Sequence, residues 1–276
     1  MTGLAVTAYG PASERPGLLA VHGITANGLS WGAVAGQLPG HRMLAPDLRG
    51  RGRSNRMPAP YGLRTHAADL AGLLDADGGG ARTVLGHSMG AFAAVALAGL
   101  RPDLVGRLVL VDGGFPLALP AGAASLDELD IAELLGPAAA RLERDFADVD
   151  SYLDFWRGHP AFIRDWSPAV EEFARYDLDG ARASARVAAV LEDGAELYGP
   201  RWYLDALRSL RMPVTVLRAP RGLTDAEPLY AQGVLERFRE LVPQLEIVEV
   251  DDVNHYTIVF AERGAAAVAA AALDPL

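Results

Sequence analysis

Gly86-His87-Ser88-Met89-Gly90 sets a serine between two glycines, each two residues away, and is the first place where residue types and spacing could do chemistry. Arg82-Thr83-Val84-Leu85 leads in as a short strand, and an Ala-rich helical stretch, Ala91 to Leu100, follows at once. A strand that turns directly into a helix holds the turn residue in strained dihedrals, and flanking glycines relieve the crowding of close backbones. Ser88 would then project above a sheet at a helix N-terminus, where the Met89 amide can help stabilise a developing oxyanion. Such a hole needs a second donor aimed at the same point. The Ile24 amide is the candidate, because His22-Gly23-Ile24 also follows a buried apolar run.

The elements that must position these groups are read from the apolar pattern. Leu18 to Val21, Met43 to Ala45, Thr83 to Leu85, Leu108 to Val111, Val214 to Leu217 and Leu245 to Val250 are short runs rich in Val and Leu. Most lack alternation, which suits strands buried on both faces of a parallel sheet. Leu63 to Leu74, Met89 to Leu100, Leu229 to Leu241 and Tyr256 to Leu273 read as helices, so the class is α/β. From Phe115 to about Leu210 no strand is expected, and the helical patterns carry Phe155, Trp156, Phe162, Trp166, Phe173 and Tyr176. This stretch reads as a helical insertion over the C-terminal edge of the sheet, where open α/β sheets bind ligands. Aromatics at helical spacing serve a core more often than a pocket. The division expected is a core of residues 1–114 and 211–276 with an inserted lid of residues 115–210.

Taken together, Val21-His22-Gly23, Ser30-Trp31, Asp47-Leu48-Arg49-Gly50-Arg51-Gly52-Arg53-Ser54, Gly86-His87-Ser88-Met89-Gly90 and Asn254-His255 resemble the α/β-hydrolase superfamily, in its order along the chain. The resemblance covers residues 18–112 and 213–272. It implies an eight-stranded, mostly parallel sheet with a helical cap inserted after strand six. It says much less about substrate, because many chemistries share the frame.

A serine hydroxyl is a weak nucleophile and needs a base. The chain order implied by the family is Ser, acid, His. Among the six histidines only His159 and His255 follow Ser88, and the resemblance puts the catalytic one at His255, just beyond the last strand. Structural roles are expected for His22, His41, His66, His87 and His159. Two positions compete for the acid. Asp112 ends the strand Leu108 to Val111 and can sit beside the elbow, while Asp225 lies in the loop after Val214 to Leu217. That loop runs Arg218-Ala219-Pro220-Arg221-Gly222-Leu223-Thr224-Asp225, with Gly222 roughly where the family's acid is expected. Asp112 is the favoured of the two.

Composition removes other chemistries. The chain of 276 residues has no Cys and no Lys, so every one of its 25 basic residues is Arg. Thiolate metal sites, a cysteine nucleophile, a Schiff-base lysine and a Walker-type phosphate lysine are excluded. A net charge of −10 without a basic stripe argues against nucleic acid and anionic membrane as partners. The histidines lack metal-binding spacing, Arg49-Gly50-Arg51-Gly52-Arg53 lacks the setting of a dinucleotide fingerprint, and no cofactor or metal is expected. Those arginines are expected to pair with local acids rather than to hold an anion. Met1 to Gly10 has no basic start or long apolar run, and Gly264 to Leu273 is too short and Ala-rich to span a bilayer. A cytoplasmic location is expected.

The reading that follows is a cofactor-independent serine hydrolase acting on a small to medium, largely apolar carboxylic ester, lactone or thioester. Ser88 would attack, His255 carry the proton, Asp112 orient the imidazole, and the Ile24 and Met89 amides bind the oxyanion. The alternatives are a ligand-binding protein with slow turnover, or a lyase, acyltransferase or carbon–carbon hydrolase built on the same triad.

Overall fold

Unbroken apolar runs cannot be satisfied by one buried face, and each of them lies inside a parallel sheet. The structure, a computed structural model, describes residues 3–12, 17–118 and 140–273. Its main sheet is formed by β1 (Val6–Tyr9), β2 (Leu18–Val21), β3 (Met43–Pro46), β4 (Arg82–His87), β5 (Val105–Val111), β8 (Val214–Arg218) and β9 (Leu245–Glu249). The order is β1-β3-β2-β4-β5-β8-β9, with β1 antiparallel to β3 and the other pairs parallel. Strands β2, β3 and β8 are buried along their whole length, whereas the edge strands β1 and β9 are largely or partly open.

The fold is the expected α/β-hydrolase type, with seven strands among the described residues rather than eight. β1 was not anticipated. Its four residues, Val-Thr-Ala-Tyr, alternate between half-buried and exposed as an edge strand does, a signal too short to separate from a loop by periodicity alone.

Helices α1 (Gly32–Gly36), α2 (Leu63–Ala76), α3 (Met89–Leu100), α8 (Thr257–Phe260) and α9 (Glu262–Leu273) accompany the sheet. The Ala-rich α3 is buried from Met89 through Ala98, between β4 and α2. Two expected helices differ. Leu229 to Leu241 holds only a short 3-10 turn, Leu235–Glu240, because Gly233 adopts φ +79° and a left-handed residue cannot continue a helix. Tyr256 to Leu273 is split into α8 and α9 at Ala261, which is extended at ψ 145°.

Between β5 and β8 the described chain gives the main sheet no strand. It forms α4 (Val149–Arg157), α5 (Pro168–Asp177), α6 (Val187–Ala195) and α7 (Arg201–Ser209), with a two-residue hairpin, β6 (Leu178–Asp179) and β7 (Arg182–Ala183), that the sequence did not signal. α4 starts on a reciprocal cap in which Asp148 accepts from Ser151 N–H and the Ser151 hydroxyl serves the Asp148 backbone. Trp156, Phe162 and Phe173 are buried and meet Tyr256 and Phe260, so these helices seat on the turn that follows His255. Among the described residues no helix is long and apolar enough to cross a membrane.

Candidate active site

The turn from β4 into α3 bends at Ser88, whose backbone sits at φ 54°, ψ −125°. Holding a non-glycine residue there costs on the order of 1–3 kcal/mol and persists only when the surroundings enforce it. Two close approaches do so. A Cβ on Gly90 would lie 2.1 Å from Val21 O, and one on Gly86 would lie 2.4 Å from Gly90 O. The glycines let α3 start in contact with both β2 and its own incoming strand, and Ser88 N–H is tied to Val111 O at 2.9 Å. Gly90→Ala is therefore expected to cost about 3 kcal/mol of stability, measured by urea unfolding. A loss below about 0.5 kcal/mol would contradict this account of the elbow.

His255 and Asp112 come together across the top of the sheet. His255 Nδ1–H donates to Asp112 Oδ2 at 2.6 Å, with both side chains buried. Asp112 ends β5 in a left-handed conformation at φ 43°, and Ala219 N–H donates to its other oxygen at 3.1 Å. The carboxylate is thus gripped from the beginning of the loop after β8. Asp225, the other acid considered, is engaged elsewhere. Its Oδ1 accepts from Arg221 Nε at 2.7 Å and from Asn254 Nδ2 at 2.9 Å. Burial raises the Asp225 carboxyl, but those two partners more than offset it and leave the net shift downward.

The backbone of His255 is fixed from below. His87 Nε2–H donates to His255 O at 2.7 Å, and the two rings lie 4.8 Å apart. Burial, followed by the charge of His255, holds His87 well below the usual histidine range, so it acts as a neutral donor. His22 has the same neutral character. Its Nδ1–H donates to Gly23 O at 2.8 Å while its Nε2 accepts from Leu48 N–H at 2.8 Å, and burial lowers it to about 4. His66 is paired with Asp193, and His159 accepts from Ala161 N–H at 3.3 Å.

Ser88, His255 and Ile24 line one narrow pocket together with Gly23, Thr25 and Ser30. Its apolar walls are Trp156 and Phe173 from α4 and α5, and Tyr256 and Phe260 from the turn after His255. Trp156 and Phe173 are thus both core and pocket, a double role that periodicity could not separate. The Met89 amide belongs to the first residue of α3, where no preceding carbonyl can accept from it. Gly23 O is held by His22 and by Ala26 N–H at 3.1 Å, and in a trans peptide the Ile24 N–H points the opposite way.

The arginine-rich stretch pairs largely with acids. Arg49 forms a two-pronged bond with Asp69, each arm 2.9 Å, and Arg51 pairs with Asp193, while Arg53 lies over the Tyr176 ring. Asp47 organises this loop by accepting from Gly28 N–H, Arg53 N–H and Tyr176 Oη–H at 2.7–2.8 Å. Among the described residues no group of His, Asp and Glu is arranged to hold a metal. Two buried residues that sequence reasoning overlooked, Arg141 and Asp193, lie on the segment between β5 and β8 and reach the loop beside Ser88. Nothing in their local sequence marks them, since the loop residues they reach, Thr25 for Arg141 and Arg51 for Asp193, are 116 and 142 positions away.

Comparison with known proteins bears on the family of the whole chain. A family model described as alpha/beta hydrolase fold matches residues 16–262. The lipase LipV of Mycobacterium tuberculosis is 40% identical over 157 residues, covering 53% of this chain and 57% of the lipase. A 2-(acetamidomethylene)succinate hydrolase of Mesorhizobium japonicum is 28% identical over 243 residues, covering 87% of this chain and 82% of that enzyme. Among solved structures, the thioesterase domain from the curacin biosynthetic pathway superposes with a TM-score of 0.75 at 26% identity, covering 98% of this chain and 95% of that one. With a matching family model across most of its length, an elbow serine and a buried His–Asp pair at one pocket, the chain belongs to the α/β-hydrolase fold family.

Proposed function

We propose that the protein is a serine hydrolase that cleaves a small to medium, largely apolar acyl compound through an acyl-enzyme. Ser88 Oγ attacks the carbonyl as His255 Nε2 takes its proton. Asp112 holds the imidazole with its proton on Nδ1 and stabilises the imidazolium that forms. The Ile24 and Met89 amides receive the developing oxyanion. His255 then returns the proton to the leaving group, and water releases the acyl group by the same steps in reverse. The observation that carries this reading is the 2.6 Å bond by which buried Asp112 holds Nδ1 of His255, a residue that lines the same pocket as Ser88.

Carboxylic esters, lactones and thioesters all fit this chemistry, and relatives named lipase, esterase and thioesterase support the ester type. Among its described lining residues the pocket carries no arginine. That supports a neutral acyl group over a dicarboxylate such as the one named in the Mesorhizobium relative. The residues between β5 and β8 supply Trp156 and Phe173 to the pocket wall, which supports reading residues 115–210 as a cap on the core of residues 1–114 and 211–276. The part of that span at residues 119–139 lies outside the described residues.

The test is steady-state and rapid-mixing hydrolysis of p-nitrophenyl acetate, butyrate and octanoate. A burst of p-nitrophenol equal to the enzyme concentration is expected, followed by turnover. Ser88→Ala should lower kcat by roughly 10⁵–10⁶-fold, to background. Wild-type turnover that survives in Ser88→Ala would rule out the serine as nucleophile.

A further inference from the structure

Three consecutive carbonyls beside the pocket are each held by a buried side chain. Gly23 O accepts from His22 Nδ1 at 2.8 Å, Ile24 O from Arg51 Nε at 2.9 Å, and Thr25 O from Arg141 at 2.6 Å. Both guanidinium groups are fully buried, and each is neutralised by a fully buried carboxylate, Arg51 by Asp193 and Arg141 by Asp177. Both carboxylates come from the segment between β5 and β8, Asp177 at the end of α5 and Asp193 on α6. Arg51 also lies against the second donor residue, with its terminal nitrogen 3.9 Å from Met89 Sδ.

We propose that the pairs Arg51–Asp193 and Arg141–Asp177 position the oxyanion-binding loop, so that the segment over the sheet fixes the two peptide planes that follow the Ile24 amide and through them restrains it. The inference rests on the hydrolase reading above. Ion pairs taken wholly out of water add little net stability over apolar packing of the same shape. What these pairs do supply is direction, because a guanidinium donates along fixed lines and cannot be deprotonated. Each one is pinned from its far side. Asp193 also accepts from Gly62 N–H at 2.5 Å and from His66 at 2.9 Å, and Asp177 accepts from Tyr152 Oη–H and from Ser184 Oγ–H at 2.7 Å. The Ser184 hydroxyl in turn accepts from Gly52 N–H at 3.0 Å, which joins the two networks through the arginine-rich loop. The Ile24 amide shares its peptide plane with Gly23 O, and the two arginines hold the next two planes, those of the Thr25 and Ala26 amides, so the Ile24 plane is hinged to a fixed neighbour. An amide displaced by 1 Å from a developing oxyanion can cost about 10²-fold in rate.

The experiment compares wild type with Arg51→Lys, Arg141→Lys and the double variant, each of which keeps the charge opposite its carboxylate but not the forked donation. Thermal unfolding, kcat and KM for p-nitrophenyl butyrate, and inhibition by butyl boronic acid are measured. The boronate forms a tetrahedral adduct on Ser88 with an oxygen at the oxyanion position. In the double variant kcat should fall by about 10²-fold, KM should stay within about threefold, and boronate affinity should fall in step with kcat. Folded variants whose kcat and boronate affinity stay within twofold of wild type overturn the proposal. If the lysine variants do not fold, the native protein decides by ¹⁵N relaxation. Order parameters for the Ile24 and Thr25 amides near 0.85 are expected, and values below about 0.6 overturn it. Failure of the underlying reading looks different. There the wild type itself turns over no ester and takes no fluorophosphonate label on Ser88, whatever the order parameters of the loop.

Discussion

Asp112→Asn is expected to lower kcat by about 10⁴-fold with little loss of stability, while Asp225→Asn leaves kcat within about threefold of wild type. The reason is geometric. Ala219 N–H donates to one oxygen of Asp112, and His255 Nδ1–H donates to the other. An asparagine in this place keeps its carbonyl oxygen on Ala219 N–H, because an amide NH₂ cannot accept. Its NH₂ then faces His255 Nδ1 and forces that nitrogen to be the acceptor. The imidazole proton moves to Nε2, the atom that must be free to take the proton of Ser88. The side chain remains the same size and stays hydrogen-bonded, so the buried site is not left empty. Asp225 has no comparable reach. Its carboxylate already serves Arg221 and Asn254, and the Asn254 side chain in turn accepts from the Tyr256 and Thr257 N–H groups that follow His255. Steady-state kinetics of both variants on one ester decide the matter. A loss of several orders of magnitude in Asp225→Asn, with Asp112→Asn near wild type, would falsify the assignment of the acid.

The second large effect concerns acid. His22, His87 and His159 are all held neutral by burial, His22 and His159 at about 4 and His87 well below its usual range. For His159 the nearby charge of Arg141 adds to burial. Each imidazole already has a hydrogen bond suited to the neutral ring. In the unfolded chain these histidines titrate near 6.5. The sign follows directly. Between about pH 6.5 and 4 the unfolded state binds protons that the native state refuses, so stability is full above 6.5 and falls as pH drops through that window. Three such groups give a limiting slope of about 4 kcal/mol per pH unit. Against a net stability of about 5–15 kcal/mol, that is enough to unfold the protein near pH 4–5. Urea unfolding at pH 7, 6 and 5 should show the decline, and His159→Gln should make it shallower by about a third. A stability that stays flat from pH 6.5 to 4.5 would refute the neutral-histidine account.

Much of this site is readable along the chain because its parts are local. The serine, its helix and its glycines are consecutive residues, and the steric demand of a strand running straight into a helix can be inferred from their order. Ile24 and His255 are marked in the same way by the short apolar runs that end just before them. The sheet is legible because strands buried on both faces must be apolar throughout. β1 escaped because four alternating residues at an edge carry too little signal, and the end of the Leu229 to Leu241 pattern was decided by the left-handed Gly233 rather than by its apolar spacing.

The choice between Asp112 and Asp225 has another character. Both acids stand at strand ends or loops that could face His255, and only the packing of β5 against β8 brings Asp112 to 2.6 Å while Arg221 and Asn254 occupy Asp225. The buried pairs Arg51–Asp193 and Arg141–Asp177 join residues 142 and 36 positions apart. A charged residue in a sequence reads as surface, because burying it alone costs several kcal/mol. Only when the chain has folded does each charge find the partner that makes burial tolerable. The sequence by itself therefore determined the candidate serine, the strand-to-helix turn that carries it and the parallel sheet, which depend on neighbouring residues. The tertiary structure alone decided which acid meets His255, which residues wall the pocket and what holds the carbonyls of residues 23–25, which depend on contacts between distant ones.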